Sequence, residues 1–205
     1  MDNLKVISKY GYSKIAIFAG LFILSLLFGV CEYFFGFLLL LSIFVYRNPE
    51  RLPAIDDENA VLSPVDGKIE YIKKSIYNSK EYTEIMIKNS LFDSGVLRSI
   101  ANLKVKEIRA KNGLNLLSND VNKNLINSRM ALVCDISGKE VIVRVNLGFG
   151  RKVHFENIKE LKAGRRFGFI VSGRVSLFLP TDTRLNVSVG NSIKATELIG
   201  FLGDK

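Results

Sequence analysis

Residues 15–46 are almost unbroken hydrocarbon: IAIFAGLFILSLLFGV, then CE, then YFFGFLLLLSIFVY, with Glu32 as the one charge. A run this long and this apolar reads as a membrane segment rather than as part of a small soluble core. As one straight helix it would reach about 48 Å at about 1.5 Å per residue, against a hydrocarbon layer of about 30 Å. That requires strong tilt and leaves Glu32 near the midplane at a cost of about 3 kcal/mol. Two shorter helices, 15–30 and 33–46, instead put Cys31 and Glu32 at a tip, each helix being about 21–24 Å long. Lys5, Lys9 and Lys14 precede the run, and Arg47 and Arg51 follow it. Basic flanks mark the cytoplasmic side, and basic flanks on both sides favour an even number of crossings. The expectation is a membrane hairpin behind a basic cytoplasmic N-terminus, 1–14, with a single tilted helix as the alternative. The run is too long for a secretory signal and lacks a small-residue cleavage site.

The net charge is +9, and nearly all of it lies after residue 46. Beside anionic lipid each Lys or Arg gains about 1 kcal/mol. Nucleic acid would attract the same charge, but there is no recognition helix, zinc spacing or aromatic–basic RNA motif, so no nucleic-acid partner is expected. Cys31 and Cys134 are the two cysteines, too few and too far apart for a disulfide scaffold. One histidine, His154, and two cysteines cannot supply an ordinary Cys/His zinc site, so no metal is expected. His154 reads as structural.

After a short polar exit at 47–58 the chain turns strand-like. Residues 62–72, 81–88, 129–136 and 140–147 alternate or are rich in β-branched types. Asp66-Gly67, Asn112-Gly113 and Ser137-Gly138 are turn signals, and 114–126 reads as a loop with a short helix. Residues 158–169 and 186–202 echo one another weakly, each placing a glycine turn before a polar stretch and a strand. The predicted fold is mainly β: a barrel-sandwich-like single domain at 52–205, preceded by the N-terminal membrane helical hairpin.

Four pieces in fixed order carry a resemblance. They are Tyr46-Arg47-Asn48-Pro49-Glu50-Arg51, Leu62-Ser63-Pro64-Val65-Asp66-Gly67-Lys68-Ile69, Ser90-Leu91-Phe92-Asp93 and Gly164-Arg165-Arg166-Phe167-Gly168-Phe169-Ile170. Over about 14–202 the chain resembles the short bacterial type of phosphatidylserine decarboxylase proenzyme. The resemblance implies a serine in a Phe-Gly-Ser strand that attacks the preceding carbonyl. The ester eliminates, the chain breaks, and the serine becomes an N-terminal pyruvoyl group. That group is the electron sink while phosphatidylserine loses CO2 and becomes phosphatidylethanolamine. An Asp and a His assist the nucleophile.

Asp66 matches the family Asp, although Asp-Gly is also a good tight-turn pair. In the segment Leu91-Phe92-Asp93-Ser94-Gly95-Val96-Leu97-Arg98, Gly95 stands where the family has its histidine. Arg98 is kept, as a substrate-binding residue for phosphate or carboxylate or as a surface charge. The cleavage strand, Arg166-Phe167-Gly168-Phe169-Ile170-Val171-Ser172-Gly173-Arg174-Val175, is one residue short. Anchored on Arg174-Val175, Gly173 takes the serine's place and Ser172 the glycine's. Side chains alternate along a strand, so one step turns a hydroxyl to the opposite face. A different gap placement makes Ser172 the nucleophile, with cleavage at the Val171-Ser172 bond behind a stiff β-branched residue.

Two functions follow. The first is a phosphatidylserine decarboxylase-related membrane protein of phospholipid metabolism, degenerate and uncleaved, that keeps a lipid-headgroup site and has no cofactor. The second is an active decarboxylase with Ser172 as pyruvoyl precursor, assisted by Asp66. Either implies a phospholipid membrane and phosphatidylserine as partners, at the inner membrane of a bacterium, with the β domain on the cytoplasmic face.

Overall fold

A computed structural model of the chain describes residues 6–111, 113, 128–149, 154–155 and 159–203. The predicted loop at 114–126 and Asn112 of the Asn112-Gly113 turn lie outside the described residues. The chain divides into two compact units, Met1–Glu50 and Arg51–Lys205.

The first unit holds helices α1 (Tyr12–Phe28) and α2 (Glu32–Val45). The apolar run breaks at Gly29, which takes φ 64°, and the Val30 N–H turns back to the Ser25 carbonyl at 3.1 Å. Glycine closes a helix in this left-handed conformation without a Cβ clash. Cys31, at φ 54°, then starts α2. Ser25 and Ser42 donate their hydroxyls to the Phe22 and Leu39 carbonyls, both at 2.7 Å, so each is satisfied within its own helix. At the base, the Ser8 N–H meets the Tyr46 carbonyl and the Asn48 N–H meets that of Val6.

These helices overturn the expected membrane hairpin. With 17 and 14 residues they reach about 26 and 21 Å, short of a hydrocarbon layer of about 30 Å. No helix among the described residues is long and apolar enough to cross a membrane. The expected tip at Cys31 and Glu32 stands beside the observed break at 29–31; what overturns the crossing is that each helix on either side of it is too short. The transmembrane assignment falls with it, and so do the membrane-protein description and the inner-membrane localisation drawn from it. Phe28, Tyr33, Phe37 and Leu40 are nevertheless exposed.

The second unit is mainly β. Among the described residues its strands are β1 (Ala60–Leu62), β2 (Gly67–Tyr77), β3 (Lys80–Asn89), β4 (Val96–Arg98), β5 (Leu103–Lys111), β6 (Arg129–Ile136) and β7 (Lys139–Phe149). There follow β8 (His154–Phe155), β9 (Glu160–Leu161), β10 (Arg166–Phe169), β11 (Ser172–Leu179), β12 (Arg184–Leu185), β13 (Ser192–Ile193) and β14 (Leu198–Phe201). The large antiparallel sheet runs β13-β2-β3-β11-β7-β6-β5-β9; two small sheets run β1-β14-β12 and β4-β10-β8. Two hairpins close through two-residue turns in which both residues have positive φ, Asn78-Ser79 and Ser137-Gly138. This geometry matches the right-handed twist of the strands it joins.

Alternation on β11 sorts the two faces of the large sheet. Val175, Leu177 and Leu179 point inward and join Ile85, Ile87, Leu132 and Val143 in the main core. Val61 and Ile199 of one small sheet and Leu97 and Phe167 of the other belong to the same cluster, which makes the arrangement sandwich-like. Phe178 has the opposite parity and packs on the outer face with Tyr82, Ala131, Val133 and Ile142.

Candidate functional site

Four chain segments converge at the head of β11. Asp66 precedes β2, Asn89 ends β3, Gly95 precedes β4, and Gly173 lies directly opposite Asn89. The Asn89 amide donates to the carbonyls of Asp66 at 2.8 Å and Ser94 at 3.1 Å, tying three of these segments together. Asp66 is 6% exposed. One carboxylate oxygen accepts the Ala195 N–H at 2.8 Å, and the other pairs with Arg51 Nη2 at 2.6 Å. Such partners offset the cost of burying a carboxylate. Asn89 Oδ1 and Ser94 Oγ are buried with no hydrogen-bond partner among the described residues.

Main chain fills the places where larger side chains would stand. A Cβ at Gly95 would fall on the Ile170 carbonyl oxygen, and the Gly95 carbonyl already accepts the Ile170 N–H at 2.9 Å. A Cβ at Gly173 would fall on the Asn146 carbonyl oxygen, and one at Gly67 on that of Lys88. Gly67 therefore serves close approach between β2 and β3, and Asp66 is an ion-paired buried residue in addition to any role in the turn.

Ser172 is also buried, but elsewhere. It pairs with Phe149 while Gly173 pairs with Leu147, so Gly148 is an extra residue on β7, a β-bulge. A Cβ at Gly148 would lie 3.2 Å from Ser172 Oγ. Strand parity puts Ser172 with Arg174 and Ser176 on the outer face, and Gly173 with Asn89 on the inner one. A pyruvoyl precursor facing Asp66 needs a hydroxyl at the Gly173 position. The residues present there do not fit that group.

Arg98 corrects the surface-charge reading. It is 3% exposed, and its Nη1 donates to the carbonyls of Gly164 at 3.0 Å and Arg51 at 3.3 Å. It thereby holds the segment that carries Arg51 against the Gly164 turn. His154 pairs through its backbone with Phe169, on the strand that leads to Ile170. Among the described residues no group of three or more His, Cys, Asp or Glu converges as a metal site.

Sequence reasoning missed Arg51, Asn89, Ser94 and Ala195. Arg51 closes the Arg-Asn-Pro-Glu-Arg piece, and Asn89 immediately precedes Ser90-Leu91-Phe92-Asp93, so both carried a signal by position. Asp93 in that piece has a local role: it accepts from the Ser90 N–H at 2.9 Å and from its hydroxyl at 2.7 Å.

The family model for phosphatidylserine decarboxylase matches residues 38–201, which spans this whole constellation. The chain belongs to that family. Among its relatives is a phosphatidylserine decarboxylase proenzyme of Geobacter metallireducens, 33% identical over 174 residues, covering 81% of this chain and 79% of its own. A proenzyme of Citrifermentans bemidjiense is 30% identical over 208 residues, 94% of each chain. One from the Wolbachia of Brugia malayi is 30% identical over 213 residues, 96% of this chain and 91% of its own. No solved structure matches. Gly95, and Gly173 when the strand is anchored on Arg174-Val175, stand where the family motifs have a histidine and a serine, and both border Asn89, which pairs with Gly173 and bonds the Ser94 carbonyl. Each position is closed by a carbonyl from an adjacent segment.

Proposed function

We propose that this chain is an uncleaved, non-catalytic member of the phosphatidylserine decarboxylase family that binds an aminophospholipid headgroup, phosphatidylserine first, without processing it. The observation that carries the reading is the pair Gly95 and Gly173. Neither supplies a base or a hydroxyl, and the Ile170 and Asn146 carbonyls occupy the space that larger residues would need. General-base assistance is worth about 10² to 10⁴ in rate, and a nucleophile on the wrong face of its strand loses proximity as well. Headgroup recognition is supported by the acceptors left near Asp66. Asn89 Oδ1 and Ser94 Oγ have no partner among the described residues, and an ammonium group offers the donors they lack. Arg98 acts in this reading as a support for Arg51 rather than as a direct headgroup ligand.

The intact mass of purified full-length protein tests the first half. A single 23.0 kDa species, unchanged by borohydride or phenylhydrazine, is expected. A C-terminal fragment that starts at residue 172 and carries a ketoacyl end would replace this reading with a working decarboxylase that uses Ser172. Vesicle flotation tests the second half. Serine-headgroup vesicles should retain the protein better than phosphatidylglycerol vesicles of equal charge, and equal retention would remove the specific site.

A further inference from the structure

The outer face of the large sheet carries a basic hollow far along the strands from Asp66. Lys111 on β5 stands directly opposite Arg129 on β6. In the next row Arg109 faces Ala131, which in turn faces Arg144 on β7. Ala131 is the small side chain between two arginines. Above it opens a cavity of about 370 Å³, lined also by Tyr77 and Ala110. That is within the usual range for small-ligand sites, about 300–1,000 Å³.

The charges around the hollow do not balance. Arg109 is held by Glu107, with both hydrogen bonds at 2.7 Å. Arg144 Nη2 pairs with Glu84 at 2.9 Å, and its guanidinium lies over the Phe178 ring at 4.6 Å. Lys111 and Arg129 have no carboxylate partner among the described residues. Like charges directly opposite across a strand pair repel, so a shared anion would stabilise this pair. One buried polar atom of a lining residue adds to it: Arg144 Nε has no hydrogen-bond partner among the described residues.

We propose that this hollow is a phosphoryl-binding site, separate from the constellation at Asp66. Two uncompensated cations match a phosphomonoester, which carries about −1.5 to −2 near neutral pH, better than they match a single carboxylate. Guanidinium groups present the planar donor fork that phosphate oxygens accept. The same chemistry is offered by a soluble phosphomonoester and by a phosphomonoester lipid headgroup.

The test uses the full chain in nonionic detergent, titrated calorimetrically with glycerol 3-phosphate. In parallel it uses flotation with neutral vesicles that contain phosphatidic acid. Binding in the soluble arm assigns the site to free phosphomonoesters; binding to vesicles alone assigns it to lipid. In the arm that binds, Lys111→Gln with Arg129→Gln weakens affinity by about tenfold or more. Lys104→Gln with Lys162→Gln removes the same charge elsewhere and leaves binding unchanged. Ala131→Leu fills the hollow, keeps every charge and abolishes binding. The proposal is overturned if neither arm binds, if the Lys104/Lys162 pair weakens binding equally, or if Ala131→Leu binds like wild type.

Discussion

Positions 95 and 173 have no room for the one carbon that glycine lacks, and that bears on any attempt to rebuild the family chemistry here. A histidine at 95 must displace Ile170, whose N–H is bonded to the same residue; a serine at 173 must displace Asn146. Forcing atoms into close-packed main chain costs about 2 kcal/mol or more. Gly95→His and Gly173→Ser are therefore each expected to lower the unfolding free energy from urea titration by that amount, and the double variant to remain uncleaved on a denaturing gel. A stable double variant that splits in two would show the backbone yielding where it is expected to resist. Both glycines were legible as departures from a motif. Their cause was not, because Ile170 and Asn146 meet them only through long-range pairing. The burial of Arg98 was hidden for the same reason: nothing in its local sequence tells a guanidinium bonded to the Arg51 and Gly164 carbonyls from one in water. Glu70 shows a residue-scale effect that pH can reach. Arg174 donates to it at 2.6 and 3.1 Å and holds its carboxyl below the usual range, chiefly through that hydrogen bond, with partial burial opposing. The unfolded chain then binds the proton more tightly than the folded one. Its contribution is full above the unfolded value of about 4.3 and is lost as pH falls through the lower folded value. Glu70→Gln should flatten the acid limb of urea midpoint against pH; an unchanged acid limb would mean that the pair contributes nothing.

At the level of elements, the helix break turns on backbone conformation. The 15–46 run is uniform in composition, and its helices end where Gly29 and Cys31 leave the right-handed region. Around a Cβ built at Gly29 there is nothing within 4 Å, so strain in the left-handed backbone is the whole penalty of a substitution. Gly29→Ala should lower the stability of the helical unit by about 1 kcal/mol, read from the thermal loss of helical circular dichroism. A neutral result would mean that the break does not depend on glycine. The strands divide similarly into what local pattern reveals and what it hides. Alternation at 81–88, 129–136 and 140–147 marks β3, β6 and β7, and Ser137-Gly138 marks the turn between two of them. The polar second half of β2 and the glycine-free Asn78-Ser79 turn carried no such mark. Nor did the place of β11 between β3 and β7, which brings residues 89 and 146 to the two sides of Gly173.

For the whole molecule, the distribution of buried apolar side chains decides which part of the chain can fold by itself. The principal core cluster is drawn entirely from residues 61–202. A unit of about 150 residues buries roughly 70% of the surface its unfolded chain exposes, enough for independent folding. Residues 51–205 expressed alone should therefore unfold cooperatively, with a urea midpoint equal to that of the β signal in the full chain. The helical unit presents the opposite surface. Tyr33 is 95% exposed, and Phe37 and Leu40 follow it at i+4 and i+7 on α2, exposed as well; Phe28 is exposed at the end of α1. Exposed apolar surface of that kind promotes association. Light scattering without detergent should accordingly find the 51–205 fragment monodisperse and the full chain associating as its concentration rises. A fragment that loses cooperativity, or one that associates as strongly as the full chain, would show that the division at residue 50 does not mark a boundary of folding.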